Sequence, residues 1–211
     1  MSGLAKQTRS GFTLIEVMIA IGIMTVGSLG ILAMHQGVVY ANRSAYEMNT
    51  ALAVAETWIQ RIERDSLSWT ERGPATAELS GTDYLSGLAS TTTTTGWFRP
   101  APVDPAESYG FNHFGDDIDA GLGELPKYCT NVRASWLRAG SSARVDIRVF
   151  WYREGQMANN ATHPDWVDGT AFRTANCGAA AADGWGLDAA PLPPNVDVIF
   201  ASTVVTWLRR E

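Results

Sequence analysis

One carboxylate stands out chemically. Glu16 opens a stretch that is otherwise without charge: from Val17 to Asn42 there is no Asp, Glu, Lys or Arg. An ionised side chain held in hydrocarbon costs about 2.5 kcal/mol or more unless it is paired. Glu16 is therefore a functional candidate, with an interfacial anchor reaching toward the headgroups as the plainer alternative. Two other groups could do chemistry. Cys129 and Cys177 are the only cysteines, and His113, Asp116, Asp117, Asp119 and Glu124 form the only grouping with the look of metal ligands. Asp117-Ile118-Asp119 with Gly121 has part of a calcium-loop pattern, but the full twelve-residue pattern with its terminal Glu is missing. A solvated acidic turn is the expectation there, and no metal or other cofactor is assigned. The three histidines (His35, His113, His163) accompany no G-x-S-x-G, no phosphate-cradling loop and no H-E-x-x-H,. No residue is nominated as catalytic, and the expectation is a non-enzyme.

The element that must carry Glu16 is a helix. The charge-free run is mostly Ile, Val, Leu, Met, Ala and Gly as far as Met34, which is enough helix to cross a bilayer core,. Ahead of it lies a short polar leader, Met1 to Gly11, with Lys6 and Arg9 and no acid, a balance that keeps this end cytoplasmic,. A secretory signal would be cut after its apolar part. Here the natural cut lies before it, at Gly11-Phe12, and leaves the apolar helix on the mature chain.

Gly11, Phe12, Thr13, Leu14 and Glu16 resemble the type III leader of type IV pilins and type II secretion pseudopilins. The resemblance is close over roughly the first quarter of the chain and general beyond it. It implies that a prepilin peptidase cuts after Gly11 and N-methylates Phe12. It also implies that Glu16 pairs with the N-terminal amine of a neighbouring subunit, an attraction strengthened where packed helices lower the dielectric. The partners it implies are the peptidase, other major and minor pilins, an inner-membrane assembly platform and the membrane itself. The expected location is the inner membrane, single-pass, with the leader cytoplasmic and the head periplasmic, and after assembly the pilus at the cell surface.

The 211 residues suffice for such a helix and one head,. The expected division is a cleaved leader at 1–11, a long helix at 12–66 (12–39 in the membrane, 40–66 packed on the head) and a head at 67–211. Formal charge is −6, or −8 without Lys6 and Arg9, which argues against a nucleic-acid surface,. Ala41, Ala45, Met48, Leu52, Ala55, Ile59 and Ile62 follow at alternating spacings of four and three, one apolar helical stripe expected to lie on the head's sheet,. Arg43, Glu47, Gln60, Arg61, Glu63 and Arg64 fall mostly off it and are expected to face solvent or neighbours. Gly73-Pro74 is a firm stop. A helix from Thr13 to Ser66 is about 80 Å long. Gly22, Gly27 and Gly30 within it admit either close helix approach or simple tolerance of glycine in a membrane helix.

The head reads as sheet. Residues 73–126 are expected to form an irregular connection, with short strands around Thr91-Phe98; the Thr91–Thr95 run suits either glycosylation or an edge strand. Three strands follow: Tyr128 to Leu137, Arg144 to Arg153 with strict alternation, and Val196 to Leu208. The first two form a hairpin turned at Ala139-Gly140-Ser141-Ser142, and a long Gly-, Ala- and Pro-rich loop spans Gly155 to Asn195. Eight Trp residues suit aromatic packing in this head. The fold class is α+β, an antiparallel sheet resting on the helix. In a head exported beyond the inner membrane Cys129 and Cys177 most simply pair, closing a loop worth about 4 kcal/mol by chain entropy. The hairpin and the last strand are similar to minor pilins of the PilV type. The expected function is a minor pilin built into, or priming, a type IV pilus. The alternatives are a type II secretion pseudopilin and, less favoured, a membrane-tethered binding domain that does not assemble.

Overall fold

In a computed structural model the described residues are 11–69, 79, 81–88, 93–100, 107–108, 110–118, 126–153, 188, 191–192 and 196–207. They form a helix α1 (Leu14–Ser66) and four strands, β1 (Gly110–Phe111), β2 (Tyr128–Arg138), β3 (Ser142–Tyr152) and β4 (Val196–Thr206). The chain separates into two compact units, one ending at Tyr46 and the other beginning at Glu47, with α1 contributing to both.

In the first unit every residue from Gly11 to Tyr46 is exposed. This part of α1 holds the one helix window among the described residues long and apolar enough to cross a membrane, and none of that window is buried. Its hydroxyls are satisfied locally. Thr25 Oγ1 donates to the Gly22 carbonyl at 2.8 Å and Ser28 Oγ to that of Met24 at 2.8 Å, so neither needs water,.

The second unit is α+β. Its sheet has the order β1-β2-β3-β4, antiparallel throughout. Gly140, at φ 70°, supplies the left-handed residue that closes the β2–β3 hairpin,. On one face Val132, Ala134, Val145, Ile147, Val149 and Trp151 join Ala51, Val54, Ala55, Trp58 and Ile62 of α1 in a single core. Trp58 is at its centre, with its ring edge-on to Tyr84 at 5.5 Å between centroids.

The buried face of α1 matches the stripe expected from spacing only at its C-terminal end, where Ala55 and Ile62 are buried and Ile59 packs partly buried against the core. It consists of Glu47, Thr50, Ala51, Val54, Ala55, Trp58, Arg61, Ile62 and Asp65. Ala41, Ala45, Met48 and Leu52 are exposed, and burial starts at Glu47 rather than at residue 40. Glu47 and Arg61, expected in solvent, are inside. The reason is long-range: their partners come from other parts of the chain, which local periodicity does not register. β3 also departs from simple alternation. Arg148, Phe150 and Tyr152, on the face away from α1, are buried as deeply as Ile147 and Val149 because this central strand is covered on both sides,.

Thr94 and Phe98 make two isolated bridges, to Ser135 and Val132, where short strands were expected; β1 was not foreseen. Residues 91–92 and most of the 155–195 loop lie outside the described residues.

Candidate functional site

The site is the N-terminal end of α1. Gly11, Phe12 and Thr13 precede the helix, and Phe12 is almost fully exposed. Thr13 and Glu16 hold each other. The Thr13 N–H and the Thr13 hydroxyl each donate to Glu16 Oε2 at 3.0 Å, and the Glu16 N–H donates back to Thr13 Oγ1 at 3.4 Å. This is a reciprocal capping box, in which a side chain three residues into the helix satisfies the donors at its start. Glu16 also lies at the positive end of the helix dipole. The carboxylate is thus held by neutral donors of its own chain yet fully exposed, so a cationic donor can reach it. Thr13 had been given no role of its own; its Thr-x-x-Glu spacing is the signal that finds it.

Gly11 has a different character. A methyl group built on it meets nothing within 4 Å, and the same holds at Gly22, Gly27, Gly30 and Gly37. The described fold does not itself require glycine at these places. Any demand for a small residue must come from another molecule.

The remaining candidates are distributed as follows. Cys129, at the start of β2, is fully buried and is not a free thiol; Cys177 lies outside the described residues. In the acidic grouping, Asp117 is not part of a solvated turn. It receives Arg61 Nη2 at 2.6 Å. The Asn112 side chain caps the adjoining turn, accepting from the N–H groups of Phe114 at 2.9 Å and Asp116 at 3.1 Å. Gly115 (φ 89°) brings the turn against α1, where a β-carbon would sit 3.0 Å from Thr50 Cγ2. His113 stacks beside Phe114 at 3.7 Å. Asp119 and Glu124 lie outside the described residues, among which no three His, Cys, Asp or Glu side chains are placed to hold a metal.

The head is fastened to α1 by buried charge. Arg61 donates to the Ser108 carbonyl at 3.2 Å, sits 3.6 Å from Glu107 and lies 4.9 Å from the centre of the Trp58 ring. Glu47 meets Lys127 at 3.4 Å, and Lys127 also donates to the Tyr152 carbonyl at 2.8 Å. The Asp65 carboxylate accepts the N–H groups of Asp83 at 2.8 Å and Tyr84 at 3.0 Å. Burial raises its pKa above the ordinary carboxylate value, with those two hydrogen bonds opposing the rise,. Burial likewise pushes the Tyr84 hydroxyl up to about 12, with the neighbouring Glu107 adding to the effect. These groups anchor the structure.

With this geometry in view the comparison with known families is decisive for the first unit. Residues 6–32 match the family model described as the Prokaryotic N-terminal methylation motif. The chain carries a prepilin-type methylation motif. Gly11, Phe12, Thr13 and Glu16 all fall inside the matched stretch, as does most of the apolar run. The methylation motif implies processing by a prepilin peptidase and association with a membrane. It covers no part of the head. No curated protein and no solved structure matches the chain.

Proposed function

We propose that the chain is a structural minor pilin, similar to the PilV type, built into or priming a type IV pilus. The carrying observation is the coincidence of the methylation motif at residues 6–32 with an apolar helix that stays uncovered as far as Tyr46. The leader is removed after Gly11 and Phe12 is methylated. The subunit then waits in the inner membrane with its head in the periplasm, in contact with the assembly platform. On assembly the apolar half of α1 leaves lipid for the helices of other pilins, where van der Waals contact between close-packed backbones replaces contact with lipid. The bare glycines at 22, 27 and 30 suit such approach.

Glu16 selects this step. In the membrane it is held by Thr13; in the filament it gains the amine of a neighbouring subunit, and a charge costly in lipid becomes a paired one. Glu16→Ala should therefore leave cleavage and methylation intact while removing the protein from sheared surface filaments. Normal incorporation of Glu16→Ala contradicts the pairing. The pseudopilin reading uses the same motif and places the processed chain in the envelope fraction, with none in sheared filaments.

In this reading the head is exported, and Cys129 pairs with Cys177, joining the start of β2 to the long loop. Alkylation of the unreduced, denatured protein should label neither cysteine; a labelled thiol contradicts the bridge. No catalytic residue and no cofactor belongs to this account.

A further inference from the structure

The face of the sheet turned away from α1 carries an arrangement that the filament reading does not use. Asn131, Arg148 and Phe200 stand in one row across β2, β3 and β4, and Arg133, Asp146 and Ser202 in the next. Over them lies Trp97, from the segment bridged to the far edge of β2. Its ring lies 4.5 Å from the Arg148 guanidinium, 4.6 Å from that of Arg133 and 6.2 Å from the Phe200 ring. Trp97 is held rigidly. Backbone hydrogen bonds on both sides, Thr95 N–H to the Ala134 carbonyl at 2.8 Å and Phe98 N–H to that of Val132 at 2.9 Å, fix its segment. Beneath it Arg148 is fully buried, bound to Asn131 at 3.1 Å and Asp188 at 2.6 Å. A charge buried this deeply needs all its partners, so the ring rests on a stiff base.

Beside this base the surface is both apolar and cationic. Phe200 is 62% exposed and Val204 54%, along a strand whose only neighbour in the sheet among the described residues is β3. Arg133 and Arg144 are each about half exposed and share one carboxylate, Asp146, at 2.9 and 2.6 Å. A guanidinium has five N–H donors, and each of these gives one to that acid. Two cations on one anion leave a net positive charge with donors to spare, next to a preorganised aromatic pair.

We propose that this face docks an acidic segment of a partner protein, one that places a carboxylate between Arg133 and Arg144 and an apolar side chain against Trp97 and Phe200. Charge complementarity selects the carboxylate, since Asp146 alone does not balance the two arginines. The exposed Phe200 ring, beside the partly buried Trp97, selects the apolar neighbour, since burying it is the main gain available at a surface of this kind,. The arrangement is independent of filament assembly, because every group in it belongs to the head.

The test uses the full chain in detergent micelles with a fluorescein-labelled peptide of alternating Glu and Leu. Its controls are a Lys–Leu peptide of equal length and a thymidine oligonucleotide. The Glu–Leu peptide should bind, and weaken by about tenfold or more in Arg133→Glu/Arg144→Glu. Phe200→Ser, which keeps every charge, should weaken it as well, and raised salt should loosen it through screening. Far-UV circular dichroism and melting of each variant establish that the fold is kept. Equal binding by wild type and both variants overturns the proposal. So does preference for the oligonucleotide or the Lys–Leu peptide, or self-association of the chain that the same variants abolish. Because the measurement is made on dispersed subunits, failure to form filaments does not affect its outcome.

Discussion

The two parts of α1 obey opposite rules. From Leu14 to Tyr46 every side chain is exposed although most are apolar, whereas from Glu47 to Asp65 nine are buried although three of them carry formal charge. Apolar character therefore does not predict burial in the first half and predicts it only in part in the second, where Ala51, Val54, Ala55, Trp58 and Ile62 are buried but Met48 and Leu52 are not. In the first half nothing in the described chain covers the helix, which is long and apolar enough to cross a membrane, and a side chain added at its glycines touches nothing there. In the second half the burying medium is the head itself, and it accepts Glu47, Arg61 and Asp65 because each meets a partner brought from elsewhere in the chain. Burial follows from partners, with composition as only a partial guide.

Substitutions can break this contrast. The largest effect is expected at Arg61. Arg61→Ala leaves the part-buried Asp117 without its cation and the buried Glu107 with Arg64 alone, and empties a buried place beside Trp58, a loss on the order of 3–5 kcal/mol,. Denaturant unfolding of the purified protein, followed by the near-ultraviolet signal of the head's tryptophans, measures it. A loss below about 1 kcal/mol, the range of exposed pairs, would show that the cluster is solvated and would erase the distinction.

A smaller and sharper comparison uses one residue type twice. Ile62 is fully buried and Ile23 is 70% exposed. Ile62→Ala should destabilise the head by about 2–5 kcal/mol through lost contacts and a cavity. Ile23→Ala should leave the head's unfolding midpoint unchanged in the same experiment. Equal shifts for the two would contradict the division of α1 at Tyr46/Glu47.

Much of this architecture is legible in the sequence. The charge-free run and the Gly11-Phe12-Thr13-Leu14-Ile15-Glu16 stretch are local signals, as are the alternation in β3 and the turn residues after Arg138, and the helix and three long strands lie close to where these place them. What is not legible depends on distance along the chain. Arg61 reaches Asp117 across 56 positions and Arg148 reaches Asp188 across 40, so a charged residue on an apparently polar helix face or strand position is in fact inside. The apolar 4-3 stripe holds at Ala55, Ile59 and Ile62 but misleads before them for the same reason. Its Met48 and Leu52 are exposed, while Glu47 and Thr50, with partners or close packing from the 110–127 region, take the buried places. At the candidate site, Gly11, Phe12 and Glu16 are legible from residue type and spacing. The capping role of Thr13 follows from its spacing to Glu16 but becomes definite only with the geometry of their hydrogen bonds.

The most direct measurement is the mass of the N-terminal peptide of the protein purified from cells that carry a prepilin peptidase. The account predicts a peptide beginning at Phe12 and carrying one added methyl group, present in sheared surface filaments beside a more abundant subunit. A chain that still begins at Met1 in such cells would contradict the central claim that Gly11-Phe12 is a processing site.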